Sequence, residues 1–302
     1  MLEAAVQPVK ADVKSHLVPS VYLAGKLREA RRVYRRRLKR SRRHFSERAV
    51  HDLRVEMRRL LALLDFLDSD PFGKLPGKIA KALKKRLDAF DDLRDTQVQL
   101  QLLQRLWSKF PEAKPFRKLL RRQEAKLVNK ARQKVQHVKM GGLWPQLKEL
   151  EKQIGTAKRK SPAAAPNAAL PALQSSFQKA VNLRRRIRGR DAAAIHRLRI
   201  AFKRFRYLSE LLQPFLPGLT REHCRRMRRF QSSAGAIQDL EVLLTTLAQF
   251  GRRKKLPAAA WAGLRRELTR RKHRALDFFM ERLDELQEFQ PRGWMRKPVA
   301  LN

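Results

Sequence analysis

One pattern occurs twice in the chain and constrains its fold more than any other feature. His51-Asp52-Leu53-Arg54-Val55-Glu56-Met57-Arg58-Arg59-Leu60 is matched by His196-Arg197-Leu198-Arg199-Ile200-Ala201-Phe202-Lys203-Arg204-Phe205-Arg206. Both segments read His-x-Leu-Arg-aliphatic, then an aromatic residue or Met, then two basic residues. A second pair lies downstream, Leu93-Arg94-Asp95-Thr96-Gln97-Val98 and Ile237-Gln238-Asp239-Leu240-Glu241-Val242. The interval from histidine to aspartate is 44 residues in the first copy and 43 in the second. A duplicated unit of four helices explains both pairs at once.

The long periodic segments read as helix, and none shows sustained strand alternation between turn signals. Helical patterns are expected over 20–44, 47–68, 78–110 and 116–140, with a short one at 144–154, and again over 172–188, 192–213, 221–250 and 258–288. Ser46, Asp191 and Thr220 precede three of these runs as N-caps. Gly141-Gly142 is expected to stop one helix. The segment 155–171 holds three prolines, which forbid one continuous helix, and is placed as a linker. The expected architecture is all-α: two four-helix bundles with internal pseudo-twofold symmetry, one over 15–154 and one over 172–288, followed by a loosely ordered tail over 289–302.

The charge balance says what such a fold must meet. Lys and Arg number 71 against 28 Asp and Glu, a formal net charge of +43 in 302 residues. An excess of this size repels itself on compaction and calls for an anionic partner: nucleic acid, an anionic membrane or a phosphate polymer. Because Cys224 is the single cysteine, an intramolecular disulfide is ruled out, and a reducing cytoplasm is the expected compartment. No run of eighteen apolar residues occurs, so a transmembrane span is not expected, and no membrane is expected among the partners.

On a helix, residues three, four and seven apart share a face. That places His51, Arg54 and Arg58 together in the first copy, and His196, Arg199, Lys203 and Arg206 together in the second. The apolar set Leu53, Met57, Leu60, Leu61 and Leu64, like Leu198, Phe202, Phe205 and Leu208, takes another face and can bury. Like charges at this spacing repel unless an anion joins them. Arginine suits phosphate because its planar fork donates two parallel hydrogen bonds, while lysine adds a mobile point charge. Two such rows could converge on a basic central pore or groove. Further cations are available from Arg28, Arg31, Arg32, Arg35 and Lys39, from Arg184 and Arg188, and from Arg121. Asp95 and Asp239 read as structural, orienting arginines or capping a local turn. Tyr34, Tyr207 and the phenylalanines read as core.

The repeated helices resemble the CHAD family, the conserved histidine α-helical domain. The resemblance rests on His51-Asp52-Leu53-Arg54-Val55 with Arg58-Arg59, on His196-Arg197-Leu198-Arg199-Ile200 with Lys203-Arg204-Phe205-Arg206-Tyr207, and on Gly235-Ala236-Ile237-Gln238-Asp239. The first-half counterpart, Asp91-Asp92-Leu93-Arg94-Asp95, lacks the glycine. The resemblance implies a pair of four-helix bundles around a strongly basic centre. It also implies binding of inorganic polyphosphate, or of other phosphate and sulfate polyanions, and association with polyphosphate granules in bacterial cells. His51, Arg54, Arg58, His196, Arg199 and Lys203 are the positions to which that role carries over.

Catalysis is not expected. Glu149-Leu150-Glu151-Lys152-Gln153 has glutamine where the triphosphate-tunnel motif of some CHAD-linked domains has lysine. No phosphate-binding glycine loop and no zinc motif occurs. Phosphoryl transfer needs carboxylates to hold magnesium, and a few aspartates scattered on basic helices supply a poor site. Neither a cofactor nor a metal is expected. The rival partner is DNA or RNA bound nonspecifically through its backbone, for which no readout module is present. A granule scaffold acting through protein partners is the third reading.

Overall fold

The computed structural model describes residues 20–68, 73–104, 106–138, 140–160, 169–254, 257–291 and 294. Among them every regular element is helical. The first half contributes α1 (Ser20–Arg43), α2 (Glu47–Leu67), α3 (Leu75–Asp88), α4 (Asp91–Gln104), α5 (Lys114–Gln136) and α6 (Met140–Lys160). The second contributes α7 (Ala169–Arg184), α8 (Ala192–Leu212), α9 (Arg221–Arg253), α10 (Ala262–Glu281) and the single turn α11 (Glu285–Glu288).

The helix starts follow the expected chemistry. Ser46 and Asp191 accept hydrogen bonds from the backbone N–H groups of Ala49 and Ala194. Thr220 forms a reciprocal capping box with His223, whose ring accepts from the Thr220 backbone N–H. Gly189, at φ 53°, makes the left-handed turn between α7 and α8, a conformation costly for other residues.

Three expectations differ from the structure. The pattern over 78–110 is two helices, not one: Phe90 turns into the core at 5% exposure, and Asp91-Asp92 open α4, where the helix dipole favours acidic residues. Gly141-Gly142 do not stop a helix. α5 already ends at Gln136, and α6 begins at Met140 and runs through both glycines and through Pro145, which lies inside the helix. α6 and α7 also enter the expected linker from both sides. Its residues 161–168 lie outside the described residues, as do 15–19 of the first expected domain.

The tail is held where its large apolar residues allow. Phe289 and Trp294 are buried at 0% and 2% exposure, and the Gly218 N–H donates to the Trp294 carbonyl at 2.7 Å. Residues 292–293 and 295–302 lie outside the described residues.

Packing ties the halves together. α1 packs on α2 and α6, α3 on α2 and α6, α7 on α8, and α9 on α8 and α10. The larger core draws on both halves, from Leu23 and Leu60 to Phe202 and Phe279. Phe202 sits at its centre, with the rings of Phe230, Phe289 and Phe205 at 4.7, 5.5 and 5.8 Å. Truncating such a residue to Ala costs about 3–5 kcal/mol. A second core joins Leu103, Phe116 and Leu120 to Leu243, Phe250 and Leu264. α9 is 33 residues long, about 50 Å at 1.5 Å per residue, and enters both cores. The direct contacts between halves that matter for the site are α2 on α8 and α4 on α9. These are the helices that carry the two repeated patterns.

Candidate functional site

Burial of the apolar face fixes the direction of the polar one. Leu53, Met57, Leu60 and Leu64 lock α2 into the core, as Leu198, Phe202 and Phe205 lock α8. Because α2 packs against α8, Arg58 comes close enough to Arg199 and Lys203, and Arg54 close enough to Lys203, to act on them electrostatically. The charge of Arg58 bears on Arg54, on Arg199 and on Lys203, so one first-half cation couples to cations of both copies.

This crowding shifts the bases. Lys203 is lowered to about 8, first by burial, then by Arg58 and Arg199. His196 is lowered by burial, then by Arg199 and Lys203, and Gln238 of α9 hydrogen-bonds to it. At neutral pH the histidine is therefore an uncharged donor or acceptor, and an arriving anion would favour its protonation. Burial also lowers Arg54 and Arg199, although a guanidinium stays charged at any physiological pH.

Carboxylates line the same region. Asp95 and Asp239 are raised by burial first, and Asp239 is one of the charges that raises Asp95. The two downstream aspartates thus face a shared region across the α4–α9 contact. Asp239 acts on Arg199, and Asp95 acts on Arg54 and Arg199. They leave hydrogen-bonding capacity on both arginines and the histidine unfilled. Nη1 of Arg54, Nε of Arg199 and Nδ1 of His196 are buried without a hydrogen-bond partner among the described residues. Buried polar groups in that state are costly unless a ligand or water satisfies them. Among the described residues no group of three or more His, Cys, Asp and Glu could hold a metal ion.

The remaining expected site residues divide by partner. Arg206 is buried and already engaged: it donates to Glu210 at 2.6 Å and to Gln231 at 2.8 Å and stacks on Tyr207. Arg28 and Arg31 both donate to Glu151 of α6, Arg184 pairs with Asp284, and Arg121 pairs with Glu124. Arg188 is exposed and donates to the Arg185 carbonyl. Arg35 is exposed and stacks, with Arg31, on Trp144. Arg32, Lys39 and His51 are exposed. The structure therefore gathers Arg54, Arg58, His196, Arg199 and Lys203, and gives Arg28, Arg31, Arg121, Arg184 and Arg206 carboxylate partners of their own.

Sequence reasoning passed over Asp91 as a participant. Its carboxylate accepts a hydrogen bond from Arg54 Nη2 at 2.9 Å, and its charge also reaches Lys203 and Asp95. Gly235 was noted only as part of a pattern. It is buried against the Arg199 guanidinium, and a Cβ there would stand 3.4 Å from Nε. The available signal was alignment: matching Asp95 to Asp239 sets Asp91 opposite Gly235.

Residues 25–248, which include both repeated patterns and all of the gathered cations, match the family model of the CHAD domain. The chain belongs to the CHAD domain family. CHAD domains are non-catalytic, and membership supports a polyphosphate-related binding role at the level of the family. The chain is similar to the CHAD domain from the plant Ricinus communis, with a TM-score of 0.69 and 20% identity over 94% of this chain and 96% of that one. It is also similar to PptA from Streptomyces chartreusis, with a TM-score of 0.66 and 16% identity over 89% of this chain and 99% of that one. At these identities the likeness is one of fold. No curated protein sequence matches the chain. No helix among the described residues is long and apolar enough to cross a membrane.

Proposed function

We propose that this CHAD domain binds inorganic polyphosphate without transforming it, and that it seats the chain across the seam where α2 meets α8. The observation that carries the reading is the coupling of Arg58 to Arg199 and of Arg58, Arg199 and Arg54 to Lys203, which with burial lowers Lys203 to about 8. A protein keeps half-buried cations together at such a cost when an anion offsets it. A linear polymer with one negative charge on every phosphate fits a row of forks and point charges better than a single small anion does. On this reading the two copies are related by an approximate twofold axis, each copy of four helices contributing half of one basic groove. Attachment to polyphosphate granules in the cytoplasm follows as the cellular role.

The test is competition between labelled long-chain polyphosphate and double-stranded DNA or RNA, at matched salt and matched phosphate concentration. Polyphosphate is expected to win, because the gathered cations form a compact array and no base-reading platform accompanies them. Equal or stronger binding of nucleic acid at physiological salt overturns the assignment in favour of a backbone-binding protein.

A further inference from the structure

The two copies of the site are not equivalent, and one difference is a charged group beside the buried arginine. In the first copy Arg54 is 5% exposed, and its Nη2 donates to Asp91 at 2.9 Å. In the second copy the position matching Asp91 is Gly235, and Arg199 lies against its bare backbone. No ion pair to Arg199 occurs among the described residues, and its Nε is buried unpaired. Arg199 therefore feels Asp239 and Asp95 only through space, whereas Arg54 is held in a direct hydrogen-bonded ion pair with Asp91.

We propose that Asp91 is a built-in counter-anion that competes with bound phosphate, so that the second-copy residues Arg199, Lys203 and His196 form the stronger phosphate subsite and the first copy the weaker one. This inference rests on the polyphosphate reading above. The carboxylate is half exposed, while the arginine it holds is buried. A phosphate approaching Arg54 meets the carboxylate first and must share or displace it. Charge from Asp91 also extends to Lys203 across the α2–α8 contact, so its influence is not confined to one copy. A long polyphosphate gains contacts on both sides of the seam and outweighs the repulsion. A short anion has only the second-copy subsite. The pairing thereby weakens overall affinity and raises the preference for long chains over short ones.

The experiment measures binding of tripolyphosphate and of long-chain polyphosphate to the full chain by calorimetry, for the wild type, Asp91→Asn, Gly235→Ala and Gly235→Asp. Asp91→Asn keeps a side-chain acceptor at the start of α4 and removes only the charge. It is expected to tighten both ligands, tripolyphosphate by about fivefold, the scale of one partly exposed ion pair, and long chains by less. Gly235→Ala adds a Cβ at ordinary contact distance from Arg199 and is expected to bind like the wild type. Gly235→Asp copies the first-copy arrangement into the second and is expected to weaken tripolyphosphate by about tenfold or more, on the scale of a lost hydrogen bond to a charged group. Should Gly235→Asp fail to fold, Asp91→Asn decides alone. Unchanged or weaker binding by Asp91→Asn, in a protein whose wild type binds polyphosphate and loses it when Arg58, Arg199 and Lys203 are neutralised, refutes the role of Asp91 and leaves the polyphosphate reading standing. A wild type that binds neither ligand removes both.

Discussion

Among the charged neighbours of Lys203, Arg58 contributes most to holding its ammonium at about 8, although the two residues lie in different copies of the repeat. That relationship makes binding sensitive to pH in a range where ordinary lysines are silent. At pH 8 about half of the free protein carries a proton on Lys203, and a bound phosphate chain draws the remainder on. Calorimetry in buffers of different ionisation heat is expected to show uptake of about half a proton at pH 8. Affinity is expected to fall between pH 7 and pH 9. Lys203→Arg keeps the charge and should abolish both effects. A flat profile in the wild type, or the same fall in the arginine variant, places the ligand away from Lys203.

The same lysine costs stability when no ligand is present. Its pKa is about 8 folded against an ordinary 10.5, so below pH 8 both states hold the proton and the folded state bears the whole penalty. Between about 8 and 10.5 the unfolded chain binds more protons, and stability rises with pH. Lys203→Met is accordingly expected to stabilise the free protein by about 1–3 kcal/mol at pH 7, with the gain shrinking toward pH 10.5. Urea denaturation of both proteins at the two pH values checks this. A destabilised variant would mean that the ammonium has a favourable partner in the folded state.

Net charge alone does not account for binding on this view. Changing Arg54, Arg58, Arg199 and Lys203 together to Met should lower polyphosphate affinity at least about 100-fold, since hydrogen bonds to charged groups contribute about 1.5–3 kcal/mol each. Changing the exposed Lys78, Lys81, Lys85 and Lys114 to Gln removes as much charge and should cost under about tenfold. Circular dichroism confirms folding in each case. Equal losses in the two variants would make the interaction a diffuse one.

Stability in mild acid has a separate origin. The His223 ring accepts from the Thr220 N–H only when unprotonated, and burial first, then Arg226, lower its pKa from 6.5. A depressed base means that stability is fully present above the unfolded value and is lost as pH falls from 6.5 toward the folded one. Thr220→Ala should cost about 1 kcal/mol at pH 7.5. The difference between wild type and His223→Ala should narrow as pH drops through that window. A difference independent of pH would assign the ring a packing role only, beside Trp294.

Much of this was legible from residue order because the signals are local. Ser46, Asp191 and Thr220 mark three helix starts by chemistry confined to four residues, and the structure places a cap at each. The apolar stripe through Leu198, Phe202 and Phe205 fixed which side of α8 faces inward. Information carried by distant partners was not legible. Nothing near Arg206 along α8 foretold Gln231, 25 residues away on α9, and Arg28 meets Glu151 only because α6 returns along α1. The break at Ala89-Phe90 depends on the core accepting Phe90, which periodicity does not report. The role of Asp91 needed both an alignment of the copies and the knowledge that Arg54 reaches it.

The most direct measurement of the central claim is a crystal structure of the chain with a short polyphosphate of defined length. Phosphate oxygens are expected within hydrogen-bond distance of Arg58, Arg199 and Lys203, bridging α2 and α8, with the better-ordered phosphate beside Arg199. Phosphate resting only on the outer basic faces of α1, α5 or α10, with the α2–α8 seam empty, would contradict it.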